Sequence, residues 1–178
     1  MRAAIITSSD SGYAGKREDV SGPVIAEMVR EAGYEVVWQK VLPDDQAMLE
    51  EAMKEICDEG KADLLLTTGG TGFSPRDVMP EATLAVAERM VPGIPEAMRA
   101  YSLQFTKRTM LSRAASGIRK THADRQPAGQ SEGSAGVSGV HSAAAGSWIK
   151  KSFWGLMGSV LESRESSKKR RWKNRYNI

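Results

Sequence analysis

Two short, unbroken apolar runs limit what this chain can fold into: Ala3-Ala4-Ile5-Ile6-Thr7 and Asp63-Leu64-Leu65-Leu66-Thr67-Thr68. A half-exposed strand alternates apolar and polar residues. Runs that stay apolar at consecutive positions must instead be covered on both faces, the environment of a parallel sheet with helices on either side. The intervening sequence supplies those helices. Ser21-Gly22-Pro23 opens one, with Ser21 as expected N-cap and Pro23 in the first turn. Val24, Ile25, Met28 and Val29 form its apolar stripe, and Gly33 stops it. Tyr34 to Val41, rich in β-branched and aromatic residues, reads as a second strand. Pro43-Asp44-Asp45 leads into a helix bearing Met48, Leu49, Ala52, Met53, Ile56 and Cys57, ended by Gly60. Strand–helix–strand–helix–strand with short links predicts an α/β domain with a mostly parallel sheet.

Composition narrows the class of protein. The chain has 178 residues, 40% apolar and 26% charged, enough for one globular domain with a real core. No apolar run approaches the roughly 18–20 residues that span a bilayer. The first ten residues, MRAAIITSSD, turn polar too early for a secretory signal. The lone Cys57 excludes a disulfide framework and a cysteine zinc cluster, and two histidines, His122 and His141, argue against a histidine-rich metal site. A reducing, cytoplasmic setting is expected.

In open α/β sheets, ligands bind beyond the carboxyl ends of the strands. Three polar segments lie there: Ser8 to Gly12, Pro43 to Asp45 and Thr67 to Asp77. One shared pocket is the leading expectation. Gly69-Gly70-Thr71-Gly72 follows the third strand, where glycines let backbone N–H groups approach an anion and Thr71 adds a hydroxyl. The same residues also suit a plain tight turn. No Gly-Lys-Ser/Thr follows, so the loop is not a P-loop, and its spacing is not that of the dinucleotide fingerprint. Asp44 and Asp77 are the carboxylates of interest. Alone, Asp44 or Asp45 suits a helix N-cap and Asp77 a turn before Pro80. Together, at neighbouring strand ends, they can hold Mg²⁺ beside phosphates. Ser112-Arg113 offers a hydroxyl and a fixed cation, a pair suited to a phosphate or to an exposed polar turn.

The string from Thr67 to Thr83, TTGGTGFSPRDVMPEAT, resembles the signature of the MogA/MoaB molybdopterin-binding family, which includes the amino-terminal domain of gephyrin. Further matches follow in order: Ser9-Asp10, Glu18-Asp19-Val20-Ser21-Gly22-Pro23, Pro43-Asp44, Met110-Leu111-Ser112-Arg113 and Gly117-Ile118-Arg119. The resemblance covers about two-thirds of the chain and implies a three-layer α/β/α fold, usually trimeric. It implies molybdopterin binding and, in active members, transfer of AMP from ATP to the molybdopterin phosphate with release of pyrophosphate. The adenylate then serves molybdate insertion, so a molybdate-inserting partner protein is implied as well. On this resemblance Asp44 and Asp77 are the catalytic, Mg·ATP-holding carboxylates. Gly69, Gly70, Thr71 and Gly72 form the nucleotide and phosphate loop, Ser9, Asp10 and Arg113 belong to the substrate- and nucleotide-binding set, and Ser112 holds molybdopterin. Some relatives bind the pterin without transferring AMP.

After Arg119 the sequence changes character. Residues 1–119 carry 14 basic and 18 acidic side chains, a net of −4, whereas 120–178 carry 11 and 4, a net of +7. Sixteen of the 26 residues from His122 to Ser147 are Gly, Ala or Ser. The family continues here with a buried strand, an N-L-P-G-x-P loop and a closing helix. Back-translating His122 to Ile149 and reading from the second codon base permits such a strand, loop and helix in the expected place. The reading expects one base lost near codon 119, a molybdopterin-binding domain over 1–119, and a disordered, frameshift-derived tail over 120–178. The last core strand and closing helix are then replaced, folding is poor and transfer is impaired. Other readings of the tail are weaker. The basic, aromatic-interleaved Lys168 to Tyr176 suits a polyanion such as RNA, or a nuclear-import patch, and Ser147 to Leu161 suits an interfacial helix. No specific nucleic acid and no membrane are expected as partners.

Overall fold

The computed structural model describes residues 1–120. Three parallel strands form the centre: β1 (Arg2–Ser8), β2 (Glu35–Leu42) and β3 (Leu64–Thr68), in the order β2-β1-β3. β1 pairs with β2 from Arg2↔Glu35 to Ser8↔Leu42, with an irregularity between Ala3 and Ala4, and with β3 from Ala3↔Leu64 to Thr7↔Thr68. All three therefore end at one edge of the sheet.

The helices are α1 (Asp10–Tyr13), α2 (Ser21–Glu31), α3 (Gln46–Asp58), α4 (Met79–Val86) and α5 (Gly93–Ser102), followed by a 3₁₀ turn at Lys107–Leu111. They pack in two layers. On one face Ala3, Ile5, Leu64 and Leu66 meet Ile25, Met28 and Val29 of α2 and Met98 of α5. On the other, Ala4, Ile6 and Leu65 meet Leu49, Met53 and Ile56 of α3 and Met79, Ala82 and Val86 of α4. Consecutive residues of β1 thus enter opposite cores, as its unbroken apolar run requires. Each fully buried large side chain contributes about 1.5–3 kcal/mol relative to exposure. The expected three-layer α/β/α fold is present.

Local details differ from expectation at several points. Ser21 is the first helical residue rather than the cap, because the Asp19 carboxylate accepts the Gly22 N–H at 3.0 Å. Ser8 to Gly12 is not simply a turn: Ser9 caps the short α1 by accepting the Gly12 N–H at 3.1 Å. Of the two residues expected to suit the α3 cap, Asp44 and Asp45, it is Asp45 that fills it, accepting the Met48 N–H at 3.0 Å. Met48 itself is exposed, since it precedes the buried stripe. A small antiparallel pair, β4 (Arg89–Met90) with β5 (Gly117–Ile118), was not apparent from patterning because each strand is two residues long. Arg119 fastens the segment that follows β5. Its guanidinium donates to both Asp58 carboxylate oxygens at 2.8 Å and to the Val86 carbonyl at 3.1 Å, joining α3 to α4. The expected tail, and with it the replaced core strand and closing helix, lies beyond Lys120, outside the described residues.

Tyr34 lies in the α2-side core just before β2, and burial pushes its hydroxyl from 10 up to about 12. A folded-state value above the unfolded one makes a contribution to stability that is complete below about pH 10. That contribution is lost as pH rises toward 12. Urea unfolding followed from pH 8 to 12 should show a decline in wild type that is shallower in Tyr34→Phe; equal slopes would contradict it.

Candidate functional site

The carboxyl ends of the three strands bring the three expected polar segments together. Asp44, just after β2, is held on both oxygens. Its Oδ1 accepts the Ser8 hydroxyl at 2.5 Å, and its Oδ2 accepts the Asp10 backbone N–H at 3.0 Å. Asp10 reciprocates, its Oδ1 accepting the Asp44 N–H at 3.0 Å. Arg76 then grips Asp10 from the loop after β3, donating from Nε to Oδ2 at 3.0 Å and from Nη2 to Oδ1 at 2.8 Å. The loops after β1, β2 and β3 are thereby tied through one pair of aspartates. The Arg76 guanidinium holds the Asp10 carboxyl below the usual carboxylate range, and the Asp44 N–H adds to this.

The glycine loop runs between the two singled-out carboxylates. Gly70 has φ +59°, and a Cβ there would lie 3.3 Å from Asp44 Oδ1. A Cβ on Gly72 would lie 2.8 Å from Asp77 Oδ2. Asp44 and Asp77 therefore flank the loop two residues apart, in contact with backbone that only glycine leaves open. Asp77 closes its own turn: Oδ2 accepts the Ser74 N–H at 2.8 Å, and its N–H donates to the Ser74 carbonyl at 2.9 Å. The Gly70 carbonyl accepts the Met79 N–H at 3.0 Å, which fixes the loop to the start of α4.

Arg113 serves this loop. Its backbone N–H donates to the Thr71 carbonyl at 3.1 Å and its Nε to the Gly72 carbonyl at 2.7 Å. The remaining guanidinium nitrogens bond the Glu81 carboxylate and the Asp77 carbonyl. The guanidinium thus braces Gly72, Asp77 and α4 from beneath. Ser112 ends the 3₁₀ turn, and its hydroxyl accepts the Ala114 N–H at 3.4 Å. Ser9, besides capping α1, receives its place from its own N–H bond to the Leu42 carbonyl at 2.9 Å.

The donor set is all oxygen, the chemistry a hard dication such as Mg²⁺ prefers. Among the described residues no three His, Cys, Asp or Glu side chains converge on one point, so a cation held here is completed by phosphate oxygens and water. Asp44 and Asp77 fit that role. Sequence reasoning passed over Ser8 and Arg76. The available signal was position, since both lie in the polar segments that end β1 and β3. No described helix is long and apolar enough to cross a membrane.

Fold and loop cluster together define an α/β protein whose candidate site lies beyond the carboxyl ends of a parallel sheet. The chain belongs to the family described as the probable molybdopterin binding domain, which matches residues 4–165. It is 41% identical over 123 residues to the molybdopterin adenylyltransferase of Escherichia coli K12, a match covering 67% of this chain and 63% of that protein. The chain thus spans just under two-thirds of that relative. The Helicobacter pylori (strain ATCC 700392 / 26695) molybdopterin adenylyltransferase is 38% identical over 121 residues, covering 67% of this chain and 69% of that one. In structure the chain is similar to the molybdopterin biosynthesis enzyme MoaB from Thermus thermophilus. The TM-score is 0.74 at 29% identity, over 90% of this chain and 94% of that one. The tungsten cofactor synthesizing protein MoaB from Pyrococcus furiosus gives 0.70 at 30% identity, over 89% and 95%.

Proposed function

We propose that this chain acts in molybdenum cofactor biosynthesis, binding molybdopterin and ATP at the strand ends and transferring AMP to the molybdopterin phosphate with release of pyrophosphate. The observation that carries this reading is the placement of Asp44 and Asp77 on either side of the Gly69–Gly72 loop. The identity to molybdopterin adenylyltransferases supports it. Phosphoryl-type transfer asks mainly for positioning and charge neutralisation, and these loops are built for both. Asp44 and Asp77 would hold Mg²⁺, which when bound would supply neutralising charge to the phosphates. The glycine loop gives the phosphates close access to backbone. Arg113 keeps that loop and the Asp77 turn in place, Ser9 and Asp10 border the Asp44 side, and Ser112 faces the pterin substrate. The family's trimer and a molybdate-inserting partner belong to the same reading, as does a cytoplasmic setting.

A second reading is a non-catalytic molybdopterin-binding or scaffold protein of the same family. The observation favouring it is the sequence from Lys120 onward, which departs from the strand and N-L-P-G-x-P loop expected of the family. On the enzymatic reading, a base lost near codon 119 would impair transfer in this chain. The test is pyrophosphate release from Mg·ATP by the purified full chain, with and without molybdopterin. Release that requires molybdopterin supports the enzyme. Saturable molybdopterin binding without release supports the binder, and neither would overturn both.

A further inference from the structure

We infer that Arg76 is a positioning residue for Asp44, acting through Asp10: its guanidinium fork grips the Asp10 carboxylate, which in turn holds the Asp44 backbone. The inference rests on the reading of Asp44 as a substrate-facing carboxylate. The geometry is a relay across three loops. Arg76 comes from the β3–α4 loop, Asp10 from the start of α1, and Asp44 from the β2–α3 loop. Both Asp10 oxygens are engaged by Arg76, and one of them also receives the Asp44 N–H. The Asp10 N–H closes the ring by holding Asp44 Oδ2. No other described hydrogen bond joins the β3–α4 loop to Asp10.

Charge gives the relay a second purpose. Asp10, Asp44 and Asp45 gather at the ends of β1 and β2, so three carboxylates crowd one corner of the site. Arg76 faces all three: it bonds Asp10 and feels the attraction of Asp44 and Asp45, which raises its own affinity for a proton. Arg76 thus gives the Asp10 carboxylate a fixed, two-point counter-ion. A bidentate guanidinium supplies both charge and geometry, which a lysine ammonium cannot duplicate at two oxygens at once. Arg76 and Asp10 are about half exposed, with side-chain exposures of 59% and 48%, so the pair orders the loops without being needed for the core.

The test compares wild type with Arg76→Gln and Arg76→Lys in the full chain. Arg76→Gln should speed hydrogen exchange of the Asp44 amide by about tenfold while the Ile5 and Leu66 amides are unchanged. In the pyrophosphate-release assay, the Mg²⁺ concentration for half-maximal turnover should rise by about tenfold, with a smaller change in kcat. Arg76→Lys should restore part of each effect. Unchanged Asp44 exchange in Arg76→Gln overturns the inference. An unmoved Mg²⁺ half-maximum with faster exchange also overturns it, by reducing Arg76 to a structural tie. If wild type releases no pyrophosphate, the enzymatic reading fails and the exchange measurement alone decides whether the relay exists.

Discussion

Asp44→Asn and Asp77→Asn are each expected to lower molybdopterin-dependent pyrophosphate release by about 10²–10³-fold, with the fold intact. Both substitutions keep the shape of the side chain and remove one negative charge. At position 44 an asparagine oxygen can still accept either the Ser8 hydroxyl or the Asp10 N–H, and the Ser8 hydroxyl can rotate to accept instead. At position 77 the amide oxygen can take over the Ser74 N–H, so the turn survives. Both sites lie in loops, outside the two packed cores. On the enzymatic reading proposed above, what would be lost is the pairing of negative charge with Mg²⁺ across the glycine loop. The expected pattern is near-wild-type melting with collapsed turnover in both variants. Turnover within threefold of wild type in either one would remove that carboxylate from the chemistry.

The same residues show how much of the site was legible in the sequence. The apolar runs at Ala3–Thr7 and Leu64–Thr68 dictated a covered parallel sheet, and all three strands were placed within a residue or two of where they lie. Once the strands were placed, their carboxyl ends were placed too, so the gathering of Ser9, Asp10, Asp44 and Gly69 to Gly72 followed from topology. Pairing within the cluster did not follow. Asp44 and Asp45 are adjacent identical residues, and nothing in their types says which caps α3. The structure decides it, because only Asp45 projects back to the Met48 N–H, while Asp44 turns toward Ser8. Arg113 illustrates a second limit. Sequence says that a fixed cation follows Ser112. The fold directs that cation to the carbonyls of Gly72 and Asp77 and to Glu81, across 32 to 41 residues of sequence. Long-range side-chain partners of this kind carry no periodic signal.

Gly69→Ala should be among the most damaging single-methyl additions in this chain, and Gly33→Ala provides its control. Both glycines have nearly the same left-handed backbone, φ +87° and φ +85°. An alanine at either position meets the same backbone strain, about 1 kcal/mol. Their surroundings differ. A Cβ on Gly33 meets nothing within 4 Å, whereas one on Gly69 would sit 2.1 Å from the Ser8 carbonyl oxygen and 3.1 Å from its carbon. That neighbour is backbone of β1, locked by pairing with β2 through Ser8↔Leu42, so it cannot swing aside as a side chain would. The collision must be relieved by parting the β1 and β3 ends. We expect Gly69→Ala to cost about 3 kcal/mol or more, against about 1 for Gly33→Ala, with correspondingly separated urea midpoints. Function should divide the two more sharply than stability. Ser8 supplies the hydroxyl that holds Asp44 Oδ1, so displacing Ser8 displaces the carboxylate, and any Gly69→Ala protein that still folds should release little pyrophosphate. Gly33 follows α2, and β2 begins two residues later, at the amino end of the sheet, so Gly33→Ala should keep wild-type turnover. Equal midpoints for the two variants would mean that β1 yields at Ser8 and that the glycine is there for its φ alone. A wider gap in turnover than in stability would show that the close approach of Gly69 to Ser8 also sets the position of Asp44.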